Sequence, residues 1–127
     1  MIYEIASTKP MEQIQHGLEE SAIRHKFGII AMHDLQETLK KKGLELAIEC
    51  RVFEVCNPGQ AKKVLDANGA VSTALPCRIS VYGSPGDYKL ATLRPSEMMK
   101  AFGDPRLEPV AKEVEDVIIA MMEEAAI

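Results

Sequence analysis

Two short motifs carry the residues with the most chemistry to offer: Cys56-Asn57-Pro58 and, further along, Pro76-Cys77. A cysteine thiolate is a nucleophile and a soft-metal ligand. The first triplet sits where a strand-like pattern gives way to a helix-like one. Asn is a good helix N-cap, and Pro is favoured at the first helical position. Cys56 is therefore expected just outside a helix N-terminus, where partial positive charge favours thiolate over thiol. A strand end and the start of a neighbouring strand can bring Cys56 and Cys77 together. A disulfide would need their Cα atoms within about 7 Å. The plainer reading is that both thiols are small buried apolar groups, as free cysteines often are. Asn57 and Pro58 are fully explained as cap and first-turn residue. Arg78 could supply charge for an anion held at the helix start, although its alternation phase also suits a solvated strand position. Cys56, Asn57, Cys77 and Arg78 are thus the candidate ligand-binding residues. No residue reads as catalytic, and none as a metal ligand.

Sharper chemistries lack their signatures. A thioredoxin-type pair would place a second cysteine at Gly59. A Cys–His dyad needs an adjacent base, and nothing in the order of residues brings His16, His25 or His33 to Cys56. The histidines have neither HExxH nor CxxC-type spacing. Phosphate-binding glycine loops, dinucleotide fingerprints and paired carboxylates are likewise missing, so no cofactor is indicated. Met98, Met99, Met121 and Met122 fall in helical stripes and read as core or dimer contacts. Cys50 is given no role.

The elements that must position the two motifs can be read from periodicity. The 127 residues suit a single domain, 1–127. Residues 1–6 read as a strand. Thr8-Lys9-Pro10 reads as a helix start with Thr8 as cap, and Met11, Ile14, Leu18 and Ala22 form the helix's inward stripe. Residues 27–32 read as a second strand, followed by a helix that Asp34 and Glu37 open with a capping box. That helix ends at Lys40-Lys41-Lys42-Gly43, where lysines suit the macrodipole and glycine suits the C′ position.

Residues 44–56 read as the longest strand. Its alternation slips near Val52-Phe53, which suggests a β-bulge there. The helix after Asn57 carries Ala61, Val64 and Leu65 inward and is expected to end at Asn68-Gly69 in a left-handed cap. Leu75, Cys77, Ile79 and Val81 form the apolar face of the next strand. Residues 83–87 turn the chain into a further strand, Tyr88 to Leu93. A short helix opens at Pro95 and closes at Gly103. The last helix begins near Glu108-Pro109, with Val110, Val114, Val117, Ile118 and Met121 as its stripe. The sum is an α+β fold: a two-layer, mostly antiparallel sheet with helices on one face.

Bulk properties exclude some partners. The net charge of −4 argues against nonspecific nucleic-acid binding, which needs a basic surface. The absence of Trp and the low aromatic content leave little to stack on bases. Apolar runs fall well short of the roughly twenty residues that span a bilayer, so no membrane partner is expected. The N-terminus lacks the basic and apolar regions of a signal peptide. Three cysteines, an odd number, fit a reducing compartment, and a cytoplasmic location is expected.

Taken together, Cys56-Asn57-Pro58, Ala61, Leu65, Leu75-Pro76-Cys77 and Ile79-Ser80-Val81-Tyr82 resemble the prokaryotic DUF302 family. Phe27-Gly28, Arg94-Pro95 and Leu107-Glu108-Pro109-Val110-Ala111 fit its pattern too, so the resemblance spans nearly the whole chain. It implies a small α+β domain with a TATA-binding-protein-like topology, a β-α-β-β-β-β-α core with extra short helices, a curved sheet and a homodimeric state. Likeness of topology does not imply DNA binding. The expectation for function is a cytoplasmic homodimer that binds a small ligand or regulates, with its site near Cys56 and Cys77. The alternatives are a thiol-dependent redox or sulfur-handling enzyme using the same cysteines, and a structural homodimer with packing cysteines.

Overall fold

The computed structural model describes all of residues 1–127. Its strands are β1 (Ile2–Ser7), β2 (Gly28–Asp34), β3 (Glu49–Cys56), β4 (Cys77–Ser84) and β5 (Asp87–Leu93). Its helices are α1 (Met11–Arg24), α2 (Leu35–Lys41), α3 (Pro58–Ala67), α4 (Pro95–Met99) and α5 (Glu108–Ala126). The strands form one antiparallel sheet in the order β1-β5-β4-β3-β2. The α+β class is as the periodicity implies.

Several helix ends follow local rules. The Asp34 carboxylate accepts from the Glu37 N–H at 3.0 Å and opens α2. Gly43 takes φ +76° beyond the end of α2, and its N–H donates to the Lys40 carbonyl. Other ends differ from expectation. At α1 the cap position belongs to Pro10, with no side-chain bond, and Ser7 Oγ rather than Thr8 accepts from a nearby amide, that of Lys9. Asn68 is extended, not left-handed. It closes α3 by starting a 3-10 turn over Gly69–Ala74, its side chain accepting from the Ala70 N–H at 3.0 Å.

The long strand expected over 44–56 begins only at Glu49. Glu49 pairs with Gly83, and β4 turns into β5 just beyond, so residues 44–48 have no strand to pair with. Leu44 is 58 % exposed. The expected bulge lies on a different strand. The β3–β4 register is unbroken, whereas β2 carries one extra residue, Ile30, between the pairs Ile29–Val55 and Ala31–Glu54. The slip in β3 instead reflects apolar residues on both of its faces. Phe53 and Val55 enter the core, while Cys50 and Val52 point to the other side beside Tyr82 and Ser80.

The hydrophobic interior is divided. A main cluster of 17 buried residues joins one sheet face (Phe53, Val55, Ile79, Val81, Tyr88, Leu90) to α1 and the C-terminal half of α5. The two helices cross closely at Gly17, where a Cβ would lie 3.1 Å from the Ala125 Cα. A separate cluster of five, Val64, Val71, Met99, Leu107 and Ala111, joins α3 and α4 to the N-terminal half of α5. The deepest stripe of α5 is therefore Ala111, Glu115, Ile118 and Met122, with Val110, Val114 and Val117 only half-buried beside it. The other sheet face, with Glu4, Arg78, Tyr82 and Lys89, is left bare by α1 and α5.

Candidate functional site

The end of β3, the start of α3 and the start of β4 meet at the junction of the two clusters. Asn57 Oδ1 accepts from the Gln60 N–H at 3.1 Å, and Pro58 is the first residue of α3. Asn57 Nδ2 donates to the Lys26 carbonyl at 3.2 Å, which ties the helix start to the entry of β2. Both ends of that amide are occupied within the protein. Its role is positional, as the capping rule implies.

Cys77 sits across the ladder from Val55, the residue before Cys56. It follows the cis Leu75–Pro76 bond. All three cysteines are free; Cys77 is buried and Cys56 half-buried. Burial, and then the neighbouring Cys56, push the Cys77 thiol up to about 11. That is the reverse of what a nucleophile or thiolate ligand requires.

Between the clusters lies an open apolar cavity of about 270 Å³. Twelve of its 16 lining residues are apolar, which sets the class of molecule it suits. Phe27, Val55 and Cys77 belong to the main cluster, and Val64, Met99 and Ala111 to the small one. Cys56, Asn57 and Gln60 line it as well. The cavity exists because α3 spans from β3 to β4 and packs on the far half of α5, leaving the two apolar clusters incompletely joined.

The structure thus brings Cys56, Asn57 and Cys77 to one cavity and does not bring Arg78 there. Alternation along β4 sends Arg78 to the opposite face, 62 % exposed and 3.6 Å from Glu54. The histidines lie apart: His16 pairs with Glu20, His25 with Glu124, and His33 faces Glu54. No group of three or more His, Cys, Asp or Glu residues is placed to hold a metal ion. No helix is long and apolar enough to cross a membrane.

Two residues near the cavity have no counterpart in the sequence reading. Gln60 lines it from the first turn of α3, and its spacing from Asn57 was a usable signal, since Asn-x-x-Gln is a capping-box pattern. Glu115 lies one residue beyond the lining residue Val114 and is only 1 % exposed. It accepts from the Ser96 N–H at 3.1 Å, the Ser96 hydroxyl at 2.6 Å and Arg94 Nη2 at 3.3 Å. It thereby caps α4, whose own N-cap residue, Arg94, makes no side-chain cap bond. Burial works to raise the Glu115 carboxyl. The Ser96 and Arg94 hydrogen bonds outweigh it and hold the group below its ordinary value.

The model of the family described as domain of unknown function DUF302 matches residues 3–125. The chain belongs to the DUF302 family. A crystal structure of an uncharacterized conserved DUF302 protein from Bacillus stearothermophilus superposes with a TM-score of 0.92 at 30 % identity. The match covers 98 % of this chain and 97 % of that one. The arrangement described for this DUF302 chain is thus a fold it shares with that protein over nearly its full length. A search among curated proteins found no match.

Proposed function

We propose that the protein binds a small, mostly apolar molecule in the cavity between its two clusters and acts as a binding or regulatory domain. The observation that carries this reading is the cavity itself: about 270 Å³, open to solvent, with mostly apolar walls. Cys56 and Cys77 contribute to that wall, and Asn57 holds the helix that forms one side of it. The test uses benzofuran, a compact apolar probe. Titration into the wild type is expected to move the amide resonances of α3 and early β4 to saturation. Ala61→Leu, which fills the cavity from α3, is expected to abolish the response while leaving the fold intact. Absence of saturable shifts in the wild type, or an unchanged response in Ala61→Leu, overturns the reading.

A thiol-dependent redox or sulfur-handling activity is the second reading. The observation in its favour is that two free cysteines line one cavity. The raised Cys77 thiol weighs against it.

We also infer that two copies pair. The bare sheet face exposes the facing residues Ile2 and Leu93, and the family resemblance points the same way. Sedimentation is expected to give twice 14.0 kDa. A monomer at tens of micromolar overturns this inference.

A further inference from the structure

The cavity wall is apolar except for a few groups, and one of them is unsatisfied. Gln60 Oε1 is buried and has no hydrogen-bond partner in the protein. In a capping box the side chain at this position returns to the backbone N–H of the cap residue and gains a partner there. Gln60 occupies that position in α3, and its backbone N–H does bond to Asn57. Its side chain forgoes the return bond and lies in the cavity wall instead. A buried acceptor without a donor is costly, and native structures rarely keep one. The terminal amide torsion of glutamine is broad and roughly two-fold, so rotation about it exchanges the carbonyl and amide ends and presents the carbonyl to the cavity.

We propose that Gln60 is the specificity residue of this site, and that the ligand is an apolar molecule carrying one hydrogen-bond donor, such as an alcohol, phenol or N–H heterocycle, for Gln60 Oε1. This rests on the cavity-binding reading given above. The other polar occupants of the wall do not compete for the donor. Both ends of the Asn57 amide are already engaged, and thiol sulfurs are weak acceptors. Carboxylates and phosphates do not fit the class. No cationic side chain lines the cavity, and an acceptor carbonyl repels an anion.

The test compares indole with benzofuran, nearly isosteric rings of which only indole carries an N–H donor. Wild-type protein is expected to bind indole about fivefold or more tightly, the worth of one net hydrogen bond. Gln60→Leu and Gln60→Met leave the backbone cap intact. Both are expected to erase the preference while retaining benzofuran. Because each removes an unpaired acceptor, their ligand-free melting temperatures should match or exceed that of the wild type.

Equal binding of the two probes by the wild type overturns this inference and leaves the cavity reading standing. A preference that persists in both variants does the same. So does a marked loss of thermal stability in both, which would mean that the carbonyl has a partner within the protein. Failure of both probes to bind the wild type overturns the cavity reading and this inference with it.

Discussion

Glu115→Ala is expected to destabilise the protein by about 3 kcal/mol, the scale for removing a buried charged acceptor and stranding its donors. The substitution leaves the Ser96 N–H and hydroxyl without their acceptor, and Arg94 without its ion pair. It also removes the only side-chain cap on α4. Chemical denaturation with a linear extrapolation measures the change. Glu115→Gln, which keeps the shape and an acceptor oxygen, should cost less.

The pH dependence separates charge from packing. The folded-state carboxyl lies below its ordinary value. Its stabilising contribution is therefore fully present above the unfolded carboxyl's pKa, about 4.3, and is lost as pH falls through the lower folded value. The gap between wild type and Glu115→Gln should narrow as pH drops through that window. A gap that stays constant from pH 7 down to acid unfolding would show that Glu115 acts by packing alone.

The second large effect concerns Cys77. With its thiol raised from 9.0 to about 11, the thiolate fraction near neutral pH falls roughly a hundredfold relative to an unperturbed cysteine. Burial slows a reagent further. Alkylation of native, reduced protein, followed by peptide mass spectrometry, should show Cys77 modified at least a hundredfold more slowly than in urea, with a rate that climbs steeply toward pH 11. Rapid labelling of Cys77 at pH 7 would overturn the burial and the raised thiol assigned to it and bring the sulfur-chemistry reading forward.

The parts of this molecule that were legible in its sequence are those governed by near neighbours. Asp34 and Asn57 cap their helices because the groups they satisfy lie three residues away. Gly43 ends α2 because glycine alone enters the left-handed region without strain. The alternation of Cys77, Ile79 and Val81 gives β4 its buried face. Residues 44–48 mislead because alternation records a preference for strand but not the presence of a partner, and the partner strand has turned away at Gly83. The same limit hid Glu115, whose donors Arg94 and Ser96 arrive from 21 and 19 residues away. Cys56, Asn57 and Cys77 were legible as a group because one helix start joins them. Arg78 shares only sequence adjacency with Cys77, and adjacency in a strand means opposite faces. Gln60 stands at the fourth position of a capping box, but only the structure shows that its side chain declines that bond.

The order of strands in the sheet also governs how the chain can acquire its shape. β1 is translated first, yet its partner in the ladder is β5, with Ile2 beside Leu93. Ser7 then bonds to the Ala126 carbonyl at 2.8 Å, and Tyr3 to Glu123 at 2.9 Å. The apolar face of α1 likewise packs on residues of α5. A nascent chain that has emerged only as far as β4 therefore has a first strand with no neighbour and a first helix without its covering partner. Contacts spanning most of the sequence make the final closure slow for the chain's size. Until α5 leaves the ribosome, the early apolar segments must be shielded by transient collapse or by a chaperone.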